Sequence, residues 1–341
     1  MLNILDEFRR VLDDIMVLAM HKRVVLYGYG YTGRFLKWYA SYYHGIEVDY
    51  VVSMDMHLSQ AYDQEIFRKS LFSFDYKDVK HAVVWLAEPV DEEVTVLMEE
   101  NGYRKGETYF DFYDAVYGDN VYWEPDLAVA DTLKKRKTGK RDIQFLEWLE
   151  WKYGCNFLTA IEQKEFEQAG TRGSTYRVTT QKEIFPVLDR CHCIPQPEDA
   201  IFDFGCGKGG ALVSFLDYGF HKAGGVEYSP DIYEMLKENI SSLGLEKSTE
   251  LIYGDAGELK EELDGYNWFY FFFPFNSTIL QRCVDAICGS YQRKKRKIRI
   301  IYLVPFGHEL IEKSGIFRLT SQFTIETRQR VVDIFESHGE S

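Results

Sequence analysis

Residues 201–210 read I-F-D-F-G-C-G-K-G-G, and residues 224–229 read G-G-V-E-Y-S. An apolar run that enters a glycine cluster and leaves into a helix-like segment is the sequence form of a strand, a tight turn and a helix N-terminus. This is the place where α/β sheets hold nucleotides. Gly205, Gly207, Gly209 and Gly210 let the backbone bend and approach a ligand where a Cβ would collide. The second apolar run ends on Glu227, where an acid at the tip of the neighbouring strand can hydrogen-bond ribose hydroxyls.

Downstream the alternation continues. Ser229 and Pro230 provide an N-cap and a first-turn proline for a helix over 231–241, with Ile232, Met235, Leu236 and Ile240 on one face. Strand-like runs follow at 249–253, leading into Gly254-Asp255-Ala256, at 268–273, leading into Pro274-Phe275-Asn276, and at 298–304, leading into Pro305-Phe306. Strands alternating with helices predict a doubly wound sheet whose ligands sit beyond the strands' carboxyl ends.

Upstream, residues 22–33 read K-R-V-V-L-Y-G-Y-G-Y-T-G, a second strand and G-x-G-x-x-G turn at Gly28, Gly30 and Gly33. A helix and a second strand ending near Asp55 complete a βαβ unit. Runs at 82–87 and 107–112 around a helical stretch at 91–101 extend it into a small parallel-sheet domain. The expected architecture is therefore α/β, two doubly wound Rossmann-like domains joined by a helical linker. Residues 1–20 read as a helix, 21–118 as an accessory domain, 119–174 as the linker and 175–341 as the second domain. The first glycine turn, with Asp55, is a candidate second nucleotide site. The motif first suits a purely structural or dimerising role; a dinucleotide there would instead make the chain an NAD(P)-dependent oxidoreductase, and another nucleotide or nucleotide-sugar is a further alternative.

Composition narrows the classes. The net charge of −14 argues against a general nucleic-acid binder, because phosphate contacts need a basic surface. The one basic run, Arg293-Lys294-Lys295-Arg296-Lys297, reads as a solvated loop before a strand or as a site for a phosphate-bearing or acidic partner. The chain opens on an amphipathic helical pattern, with Leu5, Phe8, Leu12, Ile15 and Leu18 recurring at helical spacing rather than as a signal peptide. No apolar run approaches the roughly 20 residues that span a bilayer. Six cysteines without CxxC spacing point to reduced thiols in a cytoplasmic protein and to no metal site. The aromatic-rich segment 143–153 reads first as plain core packing, and otherwise as the cover of an edge of the second domain or as a contact with another subunit in a homodimer. The polar segment 169–176 is either a connection or a loop that folds over a ligand.

Residues from about 175 to 320 resemble a class I S-adenosylmethionine-dependent methyltransferase. D-F-G-C-G-K-G-G is similar to that family's glycine-rich first motif, Glu227 stands where its ribose-binding acid falls, Gly254-Asp255-Ala256 matches the segment flanking the adenine, and F-F-F-P-F occupies the place after the fourth strand. The resemblance implies S-adenosylmethionine as cofactor. It places Gly205 and Gly207 around the methionine moiety, Asp203 at its ammonium, Glu227 at the ribose diol, and Asp255 with Ala256 at the adenine. Phe273, Pro274, Phe275 and Asn276 would line the pocket of a small-molecule acceptor. The N-terminal domain resembles the Rossmann-like domains of bacterial polysaccharide-locus proteins, which suggests a small-molecule or saccharide-linked acceptor.

Methyl transfer is an in-line displacement at an activated carbon and needs no enzyme nucleophile; aligning donor and acceptor in a water-poor pocket supplies much of the rate. Enzymes that methylate exocyclic or amide nitrogens often place Asn or Asp before the proline of this motif. Phe273 stands there instead, which disfavours methylation of a base nitrogen and leaves open a noncatalytic assembly protein that has lost the reaction. For a hydroxyl acceptor a general base helps, and the nearest candidates are His308, which also suits a packing role, and Glu309.

Overall fold

The computed structural model describes residues 2–52, 67–68, 81–88, 90, 92–117, 144–159, 161, 176, 178–272, 276–325 and 329–338. It divides into two compact units, Leu2–Phe145 and Leu146–Ser341.

The N-terminal unit runs α1 (Leu2–Ala19), β1 (Arg23–Tyr27), α2 (Tyr31–His44), β2 (Tyr50–Val52), β3 (Phe67–Arg68), β4 (Ala82–Leu86), α3 (Glu92–Glu100), β5 (Tyr109–Asp111) and α4 (Phe112–Tyr117). Its strands lie in the order β3-β2-β1-β4-β5, all parallel. Val24, Val25 and Leu26 of β1 and every residue of β4 are buried, as strands covered on both faces require. Helix α1 buries Phe8, Leu12, Ile15, Met16 and Ala19, a stripe with the helical period. Phe112, assigned by its apolar neighbours to the end of a strand, instead opens α4.

The C-terminal unit contains α5 (Gln144–Tyr153, starting at the unit boundary), α6 (Gln181–Arg190), β6 (Ala200–Phe204), α7 (Gly210–Tyr218), β7 (Lys222–Glu227), α8 (Pro230–Ser242) and β8 (Thr249–Tyr253). After short 3₁₀ turns at Ala256–Glu258 and Glu261–Gly265 come β9 (Trp268–Phe272), α9 (Ser277–Arg293), β10 (Arg299–Leu303), α10 (Glu309–Lys313), β11 (Phe317–Ile325) and β12 (Arg330–Ser337). The seven strands are ordered β11-β12-β10-β9-β6-β7-β8; β12 runs antiparallel to both neighbours, and β10 through β8 are parallel.

From β6 the chain winds outward through β7 to β8, then crosses back to β9 and winds the other way to β10. The reversal leaves a crevice at the carboxyl ends of β6 and β9, where open α/β sheets bind ligands. Beneath it the core is aromatic. Phe204 and Phe271 stack with ring centroids 4.5 Å apart, and Phe202, Phe269 and Tyr302 belong to the same buried cluster. Such a floor is rigid, because close-packed rings have few alternative rotamers. Among the described residues, no helix is long and apolar enough to cross a membrane.

Candidate functional site

The site is built where β6 ends. The backbone reverses through Gly205, Gly207 and Gly209, at φ of 81°, 56° and 88°, and enters α7 at Gly210. Gly205 and Cys206 donate their amides to the Val226 carbonyl, each at 3.0 Å, which holds the turn against β7. Glu227, the last residue of β7, then reaches back: its Oε2 accepts the Gly207 amide at 3.1 Å and its Oε1 the Ser229 amide at 2.8 Å. Gly254 donates its amide to the Glu227 carbonyl at 3.1 Å, bringing the end of β8 to the same place. Three of the sequence candidates, Gly207, Glu227 and the segment around Asp255, are thus physically joined. A carboxylate has about four lone-pair sites, so Glu227 can accept two amides and still receive hydroxyl donors. Burial raises its pKa, and the amides from Ser229 and Gly207 oppose that rise.

Asp203 lies one strand inward and is buried. Among the described residues it has no cation partner, and burial together with the Glu227 charge pushes its carboxyl up to about 8. A buried acid short of a counter-charge is a receptor for a cation, and an ammonium group suits it. This is the observation on which the fit to an amino-acid zwitterion rests. Glycine turn, buried acid and ribose-competent acid all lie at or near the carboxyl ends of β6 and β7.

Several residues that the sequence did not single out close over the turn. Lys208 sits among the glycines with no exposed surface. Its ammonium donates to the Asn156 side-chain oxygen at 2.9 Å and to the Thr159 carbonyl at 2.8 Å, and lies 5.2 Å from the Tyr176 ring centroid. Asn239 of α8 binds the same segment twice, donating to the Asn156 carbonyl and accepting its amide, and donates to the Lys208 carbonyl at 3.0 Å. The Tyr176 ring lies so close over Gly207 that a Cβ there would stand 2.5 Å from it. The turn therefore needs glycine at 207 for two reasons, its positive φ and this contact. Of the polar segment 169–176, only Tyr176 falls among the described residues, and its hydroxyl donates to the Phe157 carbonyl at 2.9 Å. The only sequence signal for this latch is a lysine amid glycines.

Asp255 starts the 3₁₀ turn after β8. Its Oδ1 accepts the Gly257 amide at 2.8 Å and its Oδ2 faces Arg282 Nη1 at 3.4 Å, so it acts as a loop cap in this structure. The Ala256 side chain enters the aromatic core. Asn276 caps α9 by accepting the Ile279 amide at 3.0 Å. Phe273, Pro274 and Phe275 lie outside the described residues, as does Asp55. His308 follows β10; its Nδ1 lies 2.5 Å from Oδ2 of Asp333, a residue with no exposed surface on β12. Glu309 begins α10 beside it.

The basic run is, as its sequence reads, a largely exposed loop between α9 and β10, with Arg296 half-buried and several of its charges engaged by the protein itself. Arg293 grips Asp264 at 2.8 Å and 2.9 Å, Arg296 donates to the carbonyls of Leu263, Tyr266 and Ser290, and Lys297 and Arg299 both pair with Glu336. These contacts tie the end of α9 to the sheet and to the second 3₁₀ turn.

In the N-terminal unit, Gly28 has φ 92°, and a Cβ there would lie 2.4 Å from Glu88 Cγ. Oε1 of Glu88 accepts the Gly30 amide at 3.2 Å. A carboxylate from after β4 thus already occupies the start of α2, where a dinucleotide would set its pyrophosphate. A Cβ at Gly33 would stand 2.0 Å from the Gly28 carbonyl oxygen, so this turn packs helix tightly on strand. Tyr29, a candidate nucleotide-lining residue by position, is buried. Among the described residues no group of three or more His, Cys, Asp or Glu is arranged to hold a metal, and burial pushes the thiols of Cys155, Cys191, Cys193 and Cys283 up to about 12.

No protein-family model matches the chain, and no curated protein matches its sequence. Solved structures similar to it include the glycopeptide N-methyltransferase MtfA complexed with S-adenosyl-L-methionine, with 8% identity, 48% of this chain and 96% of that chain covered, and a TM-score of 0.39. An RNA methyltransferase from Salinibacter ruber in complex with S-adenosyl-L-homocysteine aligns at 15% identity over 46% of this chain and 93% of that one, with a TM-score of 0.35. A protein from Pyrococcus horikoshii OT3 aligns at 17% identity over 46% and 88%, with a TM-score of 0.36. Likeness at this level carries no functional weight, and the reading below rests on the geometry.

Proposed function

We propose that the C-terminal unit is an S-adenosylmethionine-dependent methyltransferase acting on a small-molecule or saccharide-linked acceptor. The observation that carries this reading is the junction of Gly207, Glu227 and Asp203: a glycine turn tied to a strand-end acid, beside a buried carboxylate that meets no cation among the described residues. A dinucleotide site would instead leave the helix start open to phosphate and place no uncompensated acid next to it. When bound, S-adenosylmethionine supplies a methyl carbon activated by positive sulfur.

In this reading Asp203 receives the donor's ammonium, Glu227 accepts from its ribose hydroxyls, and the amides and carbonyls of the 205–209 turn line its amino-acid end. The latch formed by Lys208, Asn156 and Tyr176 excludes water from that side, which strengthens each of these interactions. Ala256 and Asp255 flank the adenine, Ala256 through its backbone and Asp255 through lone pairs beyond those its cap uses. The residues this reading assigns to the acceptor pocket by their place in sequence are Phe273, Pro274, Phe275 and Asn276, of which Asn276 alone falls among the described residues. Calorimetric titration with S-adenosylhomocysteine tests the reading: saturable one-to-one binding is expected, and no heat at millimolar ligand would sink it.

A further inference from the structure

The loop after β10 is held more firmly than a connection requires. Val304 leaves the strand at φ 57°, a left-handed conformation that a β-branched side chain adopts only under constraint. Its amide donates to the Val331 carbonyl at 2.8 Å, and the Tyr302 hydroxyl donates to the Phe306 carbonyl at 2.9 Å. Gly307, at φ 70°, then turns the chain so that His308 reaches back to β12. There Asp333, fully buried, accepts from Gln322 Nε2 at 2.8 Å through Oδ1 and faces His308 Nδ1 at 2.5 Å through Oδ2. The His308 side chain is 39% exposed while that of Asp333 is 0% exposed, so the far side of the imidazole looks outward from a fixed base.

Resting on the methyltransferase reading, we infer that His308 is the proton acceptor for a hydroxyl substrate, with Asp333 and Gln322 as its positioning residues. The carboxylate fixes the tautomer that carries its proton on Nδ1, which leaves the Nε2 lone pair for catalysis. β10, β9, β6 and β7 are parallel neighbours, so His308, which follows β10, lies at the same end of the sheet as Glu227, which ends β7. A hydroxyl is the acceptor class that profits from a base, since its oxygen becomes a strong nucleophile only as its proton leaves. An amine would be better served by a hydrogen-bond acceptor before Pro274, where the chain has Phe273.

The step balances. The hydroxyl proton passes to His308 Nε2 while the oxygen forms its bond to the methyl carbon. The carbon–sulfur bond breaks with its electron pair going to sulfur, giving an O-methyl ether and S-adenosylhomocysteine. The imidazolium, paired with Asp333, then releases its proton to water. The charged group in contact with His308 is Asp333 from β12; Glu309 follows it in sequence at the start of α10.

The test uses the full chain. Long-range proton–nitrogen spectra of histidine-labelled protein should show His308 protonated at Nδ1 at neutral pH. The Nε2-protonated form, or an imidazolium persisting at neutral pH, would overturn the assignment. Incubation with methyl-¹³C S-adenosylmethionine and a small-molecule extract should place the label on oxygen, whereas label on nitrogen, carbon or sulfur would overturn it. His308→Gln should lower kcat about 10²- to 10⁴-fold and remove the rise of rate with pH, with S-adenosylhomocysteine affinity changed less than about twofold. Transfer at the unmodified rate would refute the role. Asp333→Asn should lower kcat with KM held, and Asp333→Glu should restore part of it. His308→Gln, on a partly exposed side chain, keeps the test intact should the buried Asp333 variants fail to fold. Loss of S-adenosylhomocysteine binding by the unmodified chain would sink the methyltransferase reading itself; retained binding with label on nitrogen would sink only the dyad.

Discussion

Glu227 accepts the amide of Gly207 at 3.1 Å, so the acid at the end of β7 and the glycine turn after β6 form one object. Neither can move without the other. A ligand that engages the ribose-competent acid therefore reads the turn as well.

Replacing Glu227 by Ala should remove both the ribose contact and the clamp on the turn. The loss of two backbone partners is expected to cost about 1–2 kcal/mol of stability. Millimolar S-adenosylhomocysteine should raise the melting temperature of the unmodified chain by mass action and leave that of the variant unchanged. An equal shift in both would remove Glu227 from the site.

Asp203 gives the site a pH signature. Its pKa is raised to about 8 in the folded chain from an ordinary value of 3.8. The unliganded folded state therefore holds a proton that the unfolded chain releases, so the stability this group contributes is present below about 4 and is lost as pH rises toward 8. A bound ammonium favours the carboxylate. Binding below pH 8 should then release a proton, with affinity climbing as pH rises to about 8. Titration calorimetry at pH 7 in buffers of differing ionisation enthalpy measures the released proton, and Asp203→Asn should abolish it. Proton uptake in place of release would contradict this placement of the ammonium.

Lys208 latches the 154–159 segment onto the turn. Lys208→Met keeps the stem's packing but strands the Asn156 and Thr159 oxygens, at an expected cost of about 1–3 kcal/mol. Denaturant unfolding measures it, together with faster proteolysis near residue 160. Stability within about 0.3 kcal/mol of the unmodified chain would show the ammonium contributes nothing.

The N-terminal glycine turn is closed by Glu88. Gly28→Ala should destabilise by about 1–3 kcal/mol, from its positive φ and the clash with Glu88. Part of that loss should return in the Gly28→Ala, Glu88→Gly double variant. Additivity in this cycle would mean the two residues do not meet. NAD is expected not to bind the unmodified chain, and a saturable fluorescence or calorimetric signal would reverse that expectation.

Within the basic run the residues should separate sharply. Arg296→Ala removes donors to four carbonyls and is expected to cost about 2–4 kcal/mol, whereas Lys294→Ala should fall within about 0.5 kcal/mol of the unmodified chain. Comparable losses in urea melts would refute the distinction.

The local rules that govern strands, turns and helices were legible from order alone. The run Ile201-Phe202-Asp203-Phe204 before Gly205, the cap-and-proline pair at Ser229-Pro230 and the strand over Thr249–Tyr253 depend on neighbours in sequence, so periodicity and glycine placement revealed them. The α/β class followed from their alternation. What only the tertiary structure decided is which charges are buried and what they meet. Lys208, Asp333 and Arg296 look like surface residues in a string of letters, because nothing local distinguishes a solvated charge from one enclosed by segments distant in sequence. Gly28 reads as a phosphate cradle, but Glu88, from just past the end of the neighbouring strand β4, fills it. Distant residues meet through packing of the whole sheet, and that packing determined which of two similar glycine turns is closed by its own protein and which presents a buried carboxylate that meets no cation among the described residues.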